Sequence, residues 1–94
     1  MSVELTGAEK KELRSRAQLL EPVVRIGIAG KSEAVLRSLE EALDLHELVK
    51  LKFTEFKEEK KVLSAELAQE TRSALVQVVG NVAVFYRPRP ASAK

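Results

Sequence analysis

Cysteine is absent and histidine occurs once, at position 46. The first absence excludes disulfides and thiolate metal sites. The second excludes a histidine zinc cluster, because His46 has no partner nitrogen. A cysteine-free chain fits a reducing compartment. No apolar run approaches the ~20 residues that a membrane span needs. The opening Met1-Ser2-Val3-Glu4-Leu5 lacks the basic-then-apolar order of a signal peptide. The expectation is a soluble cytoplasmic protein. Ser32, Ser38, Ser64 and Ser73 stand near no base or oxyanion motif, so nucleophilic catalysis has no support.

What is present makes one domain with a modest core: 94 residues, 45% apolar and 32% charged. Thr6-x-x-Glu9 is a capping box opening a first helix, with Leu13, Ala17 and Leu20 as its apolar stripe and Pro22 as its stop. Val23, Val24 and Ile26 form a short strand. Ser32 caps a second helix whose buried face is Val35, Leu39, Ala42 and Leu43. Leu48 to Phe53 alternates as a strand, with Val49, Leu51 and Phe53 on one side and Leu48, Lys50 and Lys52 on the other. Residues 54–61 are charge-dense and read as a loop leading to a third helix, its apolar side marked by Leu63, Leu67 and Ala74. Two final strands, 75–79 and 82–86, are joined by Gly80-Asn81, a strong hairpin signal. Pro88 and Pro90 stop the last strand. The expected fold is α/β, a compact α-β-α-β-α-β-β domain over residues 1–88, followed by a flexible basic tail, 89–94.

Charge is unevenly spread. Residues 1–31 carry six Lys/Arg against four Asp/Glu, residues 32–72 seven against ten, and residues 73–94 three against none. This suggests one face that attracts phosphate, although chance scatter of surface charge gives the same totals. The positive excess surrounds Gly27-Ile28-Ala29-Gly30, which precedes Lys31 and Ser32. Two glycines at a strand-to-helix junction leave main chain bare, and the first amides of the next helix favour negative charge. KH domains clamp nucleotides with the same G-x-x-G logic. The same glycines equally suit a plain turn. Gly30-Lys31-Ser32 echoes the end of a P-loop, but that motif needs glycine where Arg25 stands, so an NTPase is rejected. Three Phe and one Tyr do not make the paired aromatics of an RRM, so phosphate contact is expected to dominate over base stacking.

Residues 20–27, Leu-Glu-Pro-Val-Val-Arg-Ile-Gly, run into Gly30; they are followed by His46-Glu47-Leu48-Val49-Lys50-Leu51-Lys52, Leu75-Val76-Gln77-Val78-Val79-Gly80 and Tyr86-Arg87-Pro88. Four separated motifs in this order resemble the CRM domain, for chloroplast RNA splicing and ribosome maturation, and especially its small stand-alone bacterial members of the YhbY type. The similarity spans roughly residues 5 to 88. It implies a four-stranded mixed sheet, similar to the C-terminal domain of translation initiation factor three. It also implies a non-enzymatic RNA-binding protein without cofactor, acting on rRNA of the pre-ribosomal large subunit. The glycine loop is the implied RNA contact. Three positions depart from the family pattern: Glu21 where a basic residue is common, Gln18 where histidine is frequent, and Arg72 where glycine often makes a left-handed turn. Arg72 leads us to expect a different turn.

The expected RNA-binding set is Gly27, Ile28, Ala29 and Gly30 for backbone approach, with Lys31 and Ser32 on phosphate oxygens. Arg25, Lys10, Lys11 and Arg14 supply nearby positive field, extended by Arg87 and Arg89. Arg25, Lys31 and Arg14 are candidates for one basic edge. The protein is expected to act as a monomer away from membranes, with no metal. The alternative is a protein-interaction module that docks on a ribosomal protein, its loop only a structural turn. A small enzyme ranks last, because no acid/base pair stands at credible spacing.

Overall fold

The structure, a computed structural model, describes residues 5–88. Elements follow as α1 (Gly7–Ala17), β1 (Val24–Ile26), α2 (Glu33–His46), β2 (Leu48–Phe53), a 3-10 turn (Lys57–Glu59), α3 (Lys60–Thr71), β3 (Ala74–Val79) and β4 (Val82–Tyr86). The sheet order is β1-β2-β4-β3. β1 and β2 are parallel, and the other pairs are antiparallel. The expected four-stranded mixed sheet and α/β class are therefore observed.

Local signals explain most element starts. The Thr6 hydroxyl accepts from the Glu9 amide at 3.1 Å, and the Glu9 carboxylate accepts from the Thr6 amide at 2.9 Å. The Ser32 hydroxyl accepts from the Val35 amide at 3.2 Å and caps α2. Gly80, at φ 57, turns the β3–β4 hairpin.

Two cores sandwich the sheet. Val24, Ile26, Val49, Leu51, Phe53, Ala83 and Phe85 face α2 and α3, meeting Leu39, Leu43 and Leu67. Leu48, Val76 and Val84 face α1, meeting Leu13 and Ala17. A bulge between Leu75 and Gln77 lets neighbouring residues serve both sides: Leu75 packs on the first core and Val76 on the second. Each fully buried Leu, Ile or Phe contributes about 1.5–3 kcal/mol of transfer free energy.

Several boundaries differ from the sequence expectation. α1 ends at Ala17, ahead of Pro22, and Leu20 lies outside it with partial exposure. β1 starts at Val24, although the Val23 amide still donates to the Lys50 carbonyl at 3.1 Å. The charged stretch 57–61 is already helical. Ala74 belongs to β3 rather than α3. Arg72 takes the left-handed turn itself, at φ 59, ψ 37, instead of replacing it. The turn survives because the Arg72 and Ser73 amides still close it on the Gln69 and Ala68 carbonyls, at 3.2 and 2.9 Å. The expected tail, 89–94, with Arg89, lies outside the described residues.

Candidate nucleic-acid interface

The loop at residues 27–30 leaves the sheet where β1 ends. Its base is fixed by the Ile26 carbonyl, which accepts from the amides of Thr54 and Glu55 at 3.0 and 3.3 Å and from the Thr54 hydroxyl at 2.9 Å. The Gly30 amide donates to the Gly27 carbonyl at 2.9 Å, closing a tight turn. Ile28 and Ala29 form its tip, and Ile28 is 85% exposed. Among the described residues, no acceptor meets the amides of Ile28, Ala29 or Lys31. The tip therefore offers open N–H groups just ahead of the positive end of α2, an arrangement that suits an anion.

The two glycines differ. Gly30 has φ +73, and a Cβ there would stand 3.2 Å from the Phe56 ring. Gly27 has ordinary backbone, and a Cβ there would meet only the Thr54 hydroxyl at 3.7 Å. Gly30 is the position that demands glycine.

The cations divide into three groups. Arg25 and Lys52 are register partners on the sheet face that looks toward α1, and both are exposed. Lys50 lies on the same face, with its ammonium donating to the Leu20 carbonyl at 3.1 Å. Lys10, Lys11 and Arg14 lie on α1, on this same side of the sheet. Lys31 points elsewhere. Its ammonium meets Glu70 at 2.7 Å and Glu66 at 3.2 Å on α3, and its side chain is 23% exposed. The hydrogen bond to Glu70, foremost, holds its pKa above the ordinary 10.5, with burial opposing. Arg25, Lys31 and Arg14 thus do not line one edge.

Arg87 is not near the loop. It follows β4 at the opposite end of the sheet. Its guanidinium donates to the Glu40 carboxylate at 2.7 Å, the Thr71 carbonyl at 2.6 Å, the Glu40 carbonyl at 3.3 Å and Asp44 at 2.8 Å. These bonds tie α2, α3 and the end of β4 together. The Ser32 hydroxyl is engaged as the α2 cap, which leaves its own proton available to a ligand.

The sheet also separates charge. α1 and the face beneath it carry Lys10, Lys11, Arg14, Arg16, Arg25, Lys50 and Lys52 against Glu9 and Glu12. The α2–α3 layer carries Glu33, Glu40, Glu41, Asp44, Glu66 and Glu70 against Arg37, Lys60 and Lys61. A polyanion reaching the loop is drawn from the α1 side.

The residue that sequence reasoning missed is Phe56, which borders Gly30. Its only signal was a lone aromatic in a charged stretch. Among the described residues, no cluster of His, Asp or Glu could hold a metal, and no helix is long and apolar enough to cross a membrane.

Comparison with known proteins identifies relatives of this chain. Residues 5–87 match the CRS1 / YhbY (CRM) domain. The chain is 39% identical over 87 residues to Probable RNA-binding protein PA4753 of Pseudomonas aeruginosa, covering 92% of this chain and 84% of that one. It is 39% identical over 85 residues to a Haemophilus influenzae protein named RNA-binding protein, covering 89% and 86%. The solution structure of SAV1595 from Staphylococcus aureus superposes with a TM-score of 0.82 at 36% identity, covering 95% of this chain and 94% of that one.

Proposed function

The chain belongs to the CRS1 / YhbY (CRM) domain family, and from that premise we propose that it is a non-enzymatic RNA-binding protein. The observation that carries this reading is the exposed tip at Ile28 and Ala29, with open amides beside a cationic sheet face. Phosphate oxygens take the amides of Ile28, Ala29 and Lys31. Arg25 and Lys52 neutralise the adjoining backbone, and Lys10, Lys11 and Arg14 extend the field. Lys31 joins by exchanging its carboxylate partners for phosphate. The names of the relatives support RNA as the ligand. The family resemblance extends the role to rRNA of large-subunit precursors, with the protein acting in assembly of that particle in the cytoplasm as a monomer.

Titration against rRNA fragments at several salt concentrations tests the binding. Affinity should fall steeply with salt, because counterion release drives phosphate contact. Sedimentation of lysate through a sucrose gradient tests the assembly role. Co-migration with large-subunit precursors is expected, and protein found only at the top of the gradient contradicts it.

A second reading has its own observation. A groove of about 460 Å³ runs between the end of α1 and the start of β2, lined by Leu19, Leu20, Val23, His46 and Leu48. Leu19 is 86% exposed there. An exposed apolar groove suits a protein segment. Capture of a ribosomal protein that persists after RNase treatment would favour this docking role.

A further inference from the structure

Phosphate binding leaves one feature of the loop unexplained. Phe56 sits between β2 and the 3-10 turn at φ 57, ψ 39, in the left-handed region that bulky residues avoid. The chain just before it is pinned to the loop by the bonds from Thr54 and Glu55 to the Ile26 carbonyl. The ring then lies against Gly30, where a Cβ would stand 3.2 and 3.4 Å from its Cε2 and Cζ atoms. Placed there, it remains 43% exposed, whereas Phe53 and Phe85 are fully buried. Ile28 is bare at the tip of the same loop. Gly or Asn is the usual residue at a left-handed position and a polar side chain at a loop tip, although Glu47 and Arg72 also take positive φ in this chain. Here an aromatic is held in a disfavoured conformation with part of its surface open to solvent, beside the amides that meet phosphate.

We propose that Phe56 is a stacking platform for an unpaired nucleobase, flanked by Ile28, so that the loop selects single-stranded RNA over duplex. This rests on the RNA-binding reading above and deepens it. Bases in a duplex are covered by their neighbours, whereas those in a loop or bulge offer a free π-face to an aromatic ring. The surrounding charge sets the orientation. Glu55, Glu58 and Glu59 stand among Lys57, Lys60 and Lys61 around Phe56, a stretch of no net charge that offers phosphate little attraction and leaves a neutral base undisturbed. The sugar–phosphate chain therefore runs along the Arg25 and Lys52 side, and the base turns toward Phe56.

The test uses the full chain with a short single-stranded RNA and the duplex of the same sequence. F56G suits the left-handed backbone and should fold. It should weaken single-strand binding about 5- to 100-fold while duplex binding is unchanged. F56Y, which keeps the π-face, should bind as wild type. F56W introduces the only tryptophan of the chain, and its fluorescence should be quenched by the single strand and not by the duplex. If F56G unfolds, F56L carries the same comparison. Should wild type bind RNA while F56G or F56L binds the single strand equally well, stacking is overturned and the RNA-binding reading survives. Equal loss for both RNAs also overturns it, because it marks Phe56 as loop support only. If wild type binds neither RNA, the parent reading falls and this one with it.

Discussion

Gly27 and Gly30 look equivalent in the sequence, yet only Gly30 occupies a conformation that excludes a side chain. G30A should destabilise by about 1–2 kcal/mol through its left-handed backbone, with the Phe56 contact adding to the loss. G27A should stay within about 0.5 kcal/mol of wild type. Urea unfolding of the two variants measures the difference. An aspartate at Gly30 would therefore confuse folding with binding. The charge test belongs at exposed Ala29. A29D should keep the wild-type unfolding midpoint and lose RNA affinity about tenfold or more, since it sets a carboxylate among the phosphate-facing amides; unchanged affinity would remove the tip from the interface. A buried example is Ser64, whose hydroxyl has no partner among the described residues. S64A should raise stability by up to about 1 kcal/mol. Residue identity at the loop was legible in the sequence, and residue conformation was not. A φ value depends on what closes over the turn, and Phe56 arrives there from a different element.

Elements were more legible where a local rule decides them. The Thr6–Glu9 box, the Ser32 cap, the alternation of β2 and the Gly80-Asn81 link all mark elements that form as expected. The start of α3 was hidden because residues 57–61 are charged and carry no apolar rhythm, and tertiary contacts supply what periodicity lacks. Lys60, for instance, donates to the Gly80 carbonyl across the end of the hairpin. The ion pairs of Arg87 were hidden for a similar reason: cation and anion lie far apart in sequence, in β4's flank and in α2. R87K should lose about 1–3 kcal/mol in unfolding free energy, because one ammonium cannot span the partners that a planar fork reaches. RNA affinity measured below the unfolding transition should not change. Lys31 links the loop to α3, and its raised pKa means that the native state holds its proton more tightly than the unfolded chain does. The stabilisation is complete below pH 10.5 and is lost as pH rises through the higher native value. Above pH 10.5, wild type should lose stability faster than E70Q, as followed by circular dichroism. Freeing Lys31 with E66Q and E70Q together should also tighten RNA binding severalfold, and weaker binding would mean that the pairing orients the loop.

At the scale of the molecule, the sheet acts as a partition between a basic and an acidic side. The charge asymmetry was visible along the chain, but its assignment to faces needed the strand register: Val24 pairs with Leu51 and Ile26 with Phe53 inside the α2–α3 core, which turns Arg25 and Lys52 to the other face. R25Q and K52Q together should weaken binding across RNA sequences and reduce the salt slope by about two, one for each phosphate no longer neutralised. Neutralising exposed Glu41 on α2 should leave the slope unchanged. The most direct test is an amide chemical-shift titration of isotopically labelled protein with single-stranded rRNA fragments. The largest perturbations are expected at Ile28, Ala29 and Lys31, with smaller ones at Arg25 and Lys52. Perturbations confined to α2 and α3, with the loop amides silent, would contradict the account.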